Sequence, residues 1–396
     1  MCIRDRVYIV ETETYIVQSG RTPIGAFGGA LSEFSAPQLG AAVIAGLLDR
    51  LDLDVNEVEE VIMGNVLSAG IGQAPARQTA IYSGLPYKVE CLTINKMCGS
   101  GLKAVMLADQ AIKANDAGII IAGGIESMSN APYLISKDIN RFGHQKMIDS
   151  MIHDGLWDAY NDIHMGSCAE MLATDRNYAR EQQDEYSIKS YQRAQEAQEK
   201  GYFSNEMISL TNSKGIAIDS DEEPGKAKFE KIPIIKPVFE KNGTITAANA
   251  SKLNDGAAAV MLISKENIEK YKIKPMARII SHCSFAHDPK WFTTAPGHAI
   301  DKVLKQAGLS KDDIDLWEIN EAFAAVTMAA MDDFKLDETR VNIHGGAVAL
   351  GHPIGASGAR ILTTLIYALE RMKKNIGLAA LCIGGGEASA IVIEKL

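Results

Sequence analysis

The sequence predicts an α/β fold made of two similar halves with one segment inserted between them. Short apolar, strand-like runs alternate with stretches of helical apolar spacing, as in a largely parallel sheet covered by helices. Two glycine-flanked patterns recur: Cys98-Gly-Ser-Gly101 ahead of a helical run is echoed by Gly355-Ala-Ser-Gly358, and Gly118-Ile-Ile-Ile-Ala-Gly-Gly124 by Gly377-Leu-Ala-Ala-Leu-Cys-Ile-Gly-Gly385. Residues 128–253 follow neither pattern. A repeat on this scale is a duplicated fold rather than a solenoid. The expected boundaries are 1–127 for the N-terminal half (completed by 254–273), 128–253 for the insertion, and 274–396 for the C-terminal half. A chain of 396 residues, 46% hydrophobic and 23% charged, has the material for a large core.

In chain order, Tyr15–Val17 reads as a strand, and the Gly-rich segment from Arg21 to Gly29 as a turn-forming loop. Leu39, Ala42, Val43, Gly46 and Leu47 hold helical spacing within a helix expected over Pro37–Leu53. Strands follow at Val58–Gly64, Cys91–Ile94 and Gly118–Ala122, with helices at Gln73–Ser83 and Leu102–Ile112. The insertion mixes Met147, Met151, His153, Trp157 and Tyr160 with a polar helix over Arg180–Lys200 and a Lys- and Pro-rich stretch up to Pro237. Asn254–Ile263 resumes as a strand, and Ala359–Ala368 as a helix.

Charge and cysteine usage exclude several classes. A net charge of −10 argues against a nucleic-acid surface. Six dispersed cysteines without a CxxC pair suit neither a zinc site nor a disulfide framework, so a reducing compartment is expected. No apolar run reaches a membrane span, and the chain reads as cytoplasmic. Val7-Tyr-Ile-Val10 is nearly repeated by Tyr15-Ile-Val17, so the first dozen or so residues read as non-native.

Cys98 stands between a strand and a helix start, where the helix dipole is expected to favour the thiolate. Glycines beside Ser100 would admit a carbonyl and free backbone N–H groups to face developing charge. Gly99-Ser-Gly101-Leu-Lys-Ala104 also fits the dinucleotide fingerprint, but the next strand runs into Gly123-Gly124 instead of the acidic residue that binding would need. Asn320 opens an apolar helix, where an N-cap is the plain reading. His344 and His352 lie in a Gly/Pro-rich loop that lacks both a P-loop lysine and metal-ligand spacing, so His352 better suits activation of a thiol. Cys382-Ile-Gly-Gly-Gly386 sets a second thiol at a strand end beside exposed amides.

Taken in order, Cys98, Asn320-Glu-Ala-Phe323, Gly351-His-Pro353 and Cys382-Ile-Gly-Gly-Gly386 closely resemble the thiolase family, from Arg21-Thr-Pro23 to the C-terminus. The resemblance implies two α/β halves in five α-β-α-β-α layers plus a loop domain. It also implies reversible Claisen condensation of two acetyl-CoA to acetoacetyl-CoA and CoA through an acetyl-cysteine. Cys98 would be the nucleophile, His352 its proton acceptor, and Cys382 the base at the methyl carbon. Asn320 and His352 would hold the enolate oxygen, with the amides of Cys98 and Gly384 holding the tetrahedral oxyanion. His164-Met165 resembles the short-chain acetoacetyl-CoA thiolases, Leu156 and Ser251 match CoA contacts, and Phe292 and Phe323 would wall the acyl pocket. Phe292 replaces a frequent methionine, a change expected to alter pocket size, whereas the N-terminal extension and Glu387, where a smaller or apolar residue is frequent, are not expected to touch the chemistry. The resemblance implies no cofactor or metal, and a homodimer or homotetramer with Pro132–Gln145 as an oligomerisation loop. The alternatives are a degradative 3-ketoacyl-CoA thiolase of broader chain length, a CoA-binding scaffold without chemistry, and nicotinamide binding.

Overall fold

The computed structural model describes residues 13–137 and 142–396. Cys2, the near-repeat at Val7–Val10, most of the segment read as non-native, and part of the Pro132–Gln145 loop lie outside these residues. The first half runs β1 (Thr14–Arg21), α1 (Ala36–Asp49), β2 (Glu60–Gly64), α2 (Pro75–Tyr82), β3 (Glu90–Ile94), α3 (Ser100–Lys113) and β4 (Ile119–Ser127). After the insertion, which carries α4 (Met165–Asp175) and α5 (Arg180–Glu199), come β5 (Asn254–Ser264) and α6 (Lys265–Tyr271). The second half runs β6 (Ala277–Ala286), α7 (Ala295–Ala307), β7 (Leu316–Ile319), α8 (Ala324–Phe334), α9 (Ala347–Leu350), α10 (Ser357–Met372), β8 (Ile376–Ile383) and β9 (Glu387–Lys395).

The strand order β7-β8-β9-β6-β1-β5-β4-β2-β3 makes the duplication explicit. In the first half β4, β2 and β3 are parallel, and β5 runs antiparallel between β4 and β1. The second half repeats this: β7 and β8 are parallel, and β9 runs antiparallel between β8 and β6. A parallel bridge from Trp317 to Val341 stands where β3 stands in the first half. The halves meet edge to edge through only two residue pairs, Tyr15–Arg278 and Ile16–Ala277.

Apolar packing stacks the layers. α1 and α2 cover one face of the first half-sheet. α3 and α10 fill the space between the two half-sheets, and α7 and α8 cover the outer face of the second. Strands covered on both faces should be continuously apolar, and every residue of β4 and β5 is buried. β4 runs on past the expected stop at Ala122, because an added Cβ at Gly123 would strike Ala258 and Ala259, and one at Gly124 would strike Gly355. α1 ends at Asp49, short of the expected Leu53. The polar helix α5 also buries a face, through Gln183, Asp184, Tyr186, Ser187, Ser190 and Tyr191.

Candidate active site

Three turns converge on one cavity of about 370 Å³. The first follows β3. Met97 takes a left-handed φ of 47°, a conformation that costs a residue with a Cβ about 1–2 kcal/mol. The turn is locked around that cost: Asn95 Oδ1 accepts from the Met97 amide at 2.9 Å, and Ser100 Oγ accepts from Lys96 N at 2.8 Å while donating to Met97 O at 2.6 Å. Cys98 is thereby held at the cavity wall. Burial pushes its thiol up to about 11, against the pull of two backbone N–H groups, Gly384's and its own, while the Glu126 carboxyl pushes the same way as burial. The expected thiolate is thus corrected to a thiol: α3 begins only at Ser100, and Cys98 packs against apolar side chains. The flanking glycines serve packing rather than ligand approach. Gly99 lies against Ile383, and Gly101 against the backbone of Gly355 and Ala359 at the start of α10.

The second turn carries His352. Gly351 has φ 112°, and an added Cβ would fall on the Asn254 side chain, whose Oδ1 accepts from the His352 amide at 2.9 Å. His352 Nδ1 lies 2.6 Å from Ser357 Oγ, and Ser357 Oγ donates to Pro353 O at 2.9 Å. A carbonyl only accepts, so the serine hydrogen is committed there and Ser357 Oγ accepts from Nδ1–H. That tautomer leaves the Nε2 lone pair bare, and Nε2 has no partner among the described residues. Burial holds the imidazole neutral, its pKa lowered to about 3.

The third turn joins β8 to β9 through Gly384, Gly385 (φ 92°) and Gly386 (φ 82°). Gly384 lines the cavity and donates its N–H to the Cys98 sulfur. Cys382 is fully buried behind the wall with Phe292 and Phe323. Burial, and then the neighbouring Cys98, raise its thiol well above the ordinary range. Asn320 follows β7, its backbone N–H donating to Ala380 O at 2.9 Å, and among the described residues neither polar side-chain atom has a partner. It is no N-cap, because α8 starts at Ala324 behind Phe323.

Leu156, His164, Met165, Ser251, Phe292 and Phe323 all line the same cavity as Cys98 and His352. His164 Nδ1 accepts from Gly166 N at 3.0 Å, and its ring stacks on Phe239 with centroids 4.7 Å apart. Phe239, hidden in the Lys- and Pro-rich stretch, was not singled out from sequence; its apolar neighbour Val238 was the available signal. Glu126 was missed as well. Its carboxylate accepts from Asn65 Nδ2 and from the amides of Val66, Leu67 and Gly355, tying the first half to the His352 turn. Glu387 contacts the Lys96 ammonium, two positions before Cys98, and neither residue lines the cavity. His344 is elsewhere, packed against Tyr202 and Phe203 and bonded to Arg371. Among the described residues no cluster of three or more His, Cys, Asp or Glu could hold a metal.

The chain matches the thiolase N-terminal domain over residues 14–266 and the thiolase C-terminal domain over 273–395. It is 48% identical to the mitochondrial acetyl-CoA acetyltransferase of Rattus norvegicus, over 97% of this chain and 91% of that protein. It is 49% identical to the acetyl-CoA acetyltransferase of Yarrowia lipolytica, over 96% of each. A thiolase from Ascaris suum, solved with coenzyme A, superposes with a TM-score of 0.94 at 44% identity, covering 97% of this chain and all of that one. Human mitochondrial 3-ketoacyl-CoA thiolase gives the same TM-score at 36% identity, covering 97% of this chain and 99% of its own. The cytoplasmic expectation is corrected by these relatives: the rat, mouse, bovine and human acetyltransferases are named mitochondrial.

Proposed function

The chain belongs to the thiolase family, and from that premise we propose that it is an acyltransferase that joins two acetyl-CoA into acetoacetyl-CoA and CoA, reversibly and by a ping-pong route. One observation carries the reading: the Cys98 sulfur, held by the Gly384 N–H, shares a cavity with an imidazole whose Nε2 is bare. Cys98 gives its proton to His352 Nε2 and attacks the thioester carbonyl. The oxyanion is held by the N–H groups of Cys98 and Gly384, and CoA leaves as a thiol with the proton from His352. A neutral thiol beside a neutral base makes proton transfer part of the attack rather than a prior ionisation.

In the second half-reaction Cys382, as thiolate, removes a methyl proton from a second acetyl-CoA. Its raised pKa suits this work, because a base must be strong to deprotonate so weak a carbon acid. The enolate oxygen is held by His352 and by the unpartnered Asn320 amide acting through a water. The enolate carbon then attacks the acetyl-cysteine carbonyl, the C–S bond to Cys98 breaks to release acetoacetyl-CoA and a Cys98 thiolate, and the proton taken up by Cys382 passes to Cys98, returning both sulfurs to their starting states. No cofactor or metal enters. Leu156, His164 and Ser251 hold the pantetheine arm, while Met165, Phe292 and Phe323 favour an acetoacetyl-sized group over a long acyl chain. A homodimer or homotetramer is part of the proposal; exposed Tyr133, Ile135 and Met147 on one hairpin support it, and sedimentation velocity tests it.

CoA-dependent cleavage of acetoacetyl-CoA by wild type and Cys98→Ala tests the core reading; cleavage that survives the substitution would contradict it. Running 3-ketohexadecanoyl-CoA alongside separates a short-chain enzyme from a broad degradative thiolase.

A further inference from the structure

Glu321, the second residue of the Asn320-Glu-Ala-Phe323 motif, is fully buried, does not line the acyl cavity and takes no part in the proposed chemistry. Four donors from separate parts of the chain converge on its carboxylate. Oε1 accepts from the Tyr186 hydroxyl at 2.9 Å and from Asn342 Nδ2 at 2.9 Å. Oε2 accepts from Ser190 Oγ at 2.7 Å and from the Val348 N–H at 3.1 Å. None of the four carries a charge, and a carboxylate is expensive to bury without a cation bonded to it. Glutamine would meet the same four donors with a single acceptor oxygen. The fit is close: an added Cβ at Gly346 would fall on the carboxylate, and Ser190 Oγ also accepts from the Gly346 N–H at 3.0 Å.

These bonds fix the chain on both sides of Asn320. Asn342, at a left-handed φ of 46° that asparagine tolerates, exchanges two bonds with Ile319: its Oδ1 accepts from Ile319 N at 2.8 Å and its Nδ2 donates to Ile319 O at 2.8 Å. The same Nδ2 reaches Glu321, and Asn320 N is bonded to Ala380 O, so residues 319, 320 and 321 are each tied down. Only the Asn320 side chain is left without a partner among the described residues. On the far side of the carboxylate, Val348 belongs to α9, which ends at Leu350, directly ahead of Gly351-His352. We propose that Glu321 is a positioning residue that fixes the side-chain amide of Asn320 in register with His352, across the pair that holds the enolate oxygen. The proposal rests on the enolate reading above, and Glu321 touches no reacting atom in it. His352 keeps two tethers that bypass Glu321, from Asn254 to its own N–H and from Glu126 to the Gly355 N–H. Loss of Glu321 therefore falls on condensation rather than on acetylation.

Glu321→Gln keeps the size of the side chain but turns an NH2 group toward two of the four donors. Rapid-quench mass spectrometry reads acetylation of Cys98 by acetyl-CoA, and acetoacetyl-CoA formation reads condensation. The expected loss is about 10²-fold in condensation kcat, the scale of a misplacement of about 1 Å. Acetylation and the KM for acetyl-CoA stay within about threefold of wild type, as for an interaction made only at the later step. In a double variant with Asn320→Ala the loss disappears: condensation stays within about threefold of Asn320→Ala alone, because the group that Glu321 positions is gone. Losses that multiply, acetylation and condensation that fall together, or a Glu321→Gln enzyme that condenses at the wild-type rate overturn the proposal. If Glu321→Gln does not fold, Tyr186→Phe decides, since it deletes one hydroxyl donor to the carboxylate. A loss of about threefold to tenfold, confined to condensation and absent from the Asn320→Ala background, supports the proposal, and any other pattern overturns it. An Asn320→Ala enzyme that condenses at the wild-type rate defeats the enolate reading itself and the proposal with it; every other failure leaves that single variant impaired and so belongs to Glu321 alone.

Discussion

Asn65 and Asn320 occupy matching places in the two halves, and they are treated in opposite ways. Each follows a strand paired in parallel with its neighbour, in registers Gly64–Gly124 and Ile319–Ala380. Two positions along the neighbouring strand stand Glu126 in the first half and Cys382 in the second. Asn65 Nδ2 donates to Glu126 at 2.9 Å, and the carboxylate also takes three backbone amides. Among the described residues the Asn320 side chain has no hydrogen-bond partner. A buried amide without partners costs about 1–3 kcal/mol, a penalty that native folds accept mainly where a ligand restores the bonds. The position is a brace in one half and, in the proposed function, a reaction site in the other. The same asymmetry governs the strand connections: Gly384–Gly386 joins β8 to β9, while residues 128–253, with Leu156, His164, Met165 and Ser251, fill the equivalent span in the first half.

The comparison can be broken most severely at the sulfurs. Cys98→Ala should abolish cleavage, on the order of 10⁶-fold in kcat as for loss of other nucleophiles, with the protein still folded by circular dichroism. Asn320→Ala should cost about 10²–10³ in condensation while acetylation of Cys98 continues; equal damage to both steps would make Asn320 structural. Asn65→Ala should do the converse, lowering Tm for a loss of about 1–3 kcal/mol and slowing both half-reactions together.

Smaller effects sharpen the account. His352 is pulled down to about 3 and so stays neutral and competent through mildly acid solution, and Cys98, raised to about 11, stays a thiol. The rate of Cys98 acetylation should therefore show no acid limb near 6.5, the ordinary histidine value; a limb there in stopped-flow kinetics would contradict the neutral pair. Glu126 pushes the Cys98 pKa up, so Glu126→Gln should shift iodoacetamide alkylation of Cys98 toward lower pH. An unmoved or rising alkylation midpoint would remove Glu126 from the electrostatics of the site.

The sequence made the turns legible because glycine and proline mark them: Cys98-Gly-Ser-Gly101 and Cys382-Ile-Gly-Gly-Gly386 stand at a helix start and a strand end, and Gly351-His-Pro353 at a helix end. The duplication was legible for the same reason. What stayed hidden depends on long-range neighbours. The helix-start argument for Cys98 could not weigh burial, which pushes the thiol up. Glu126 stands one residue before the end of an otherwise largely apolar strand, and its partners at 65–67 and 355 are remote in sequence. Phe239 sits beside a lysine-rich stretch whose plain reading is a solvated surface.

The most direct test of the division of labour between the two sulfurs is peptide mass spectrometry after incubation with acetyl-CoA alone. A single acetyl group on Cys98, absent from Cys98→Ala and retained by Cys382→Ala, is the predicted result. An acetyl group on Cys382, or none on wild type, would contradict it.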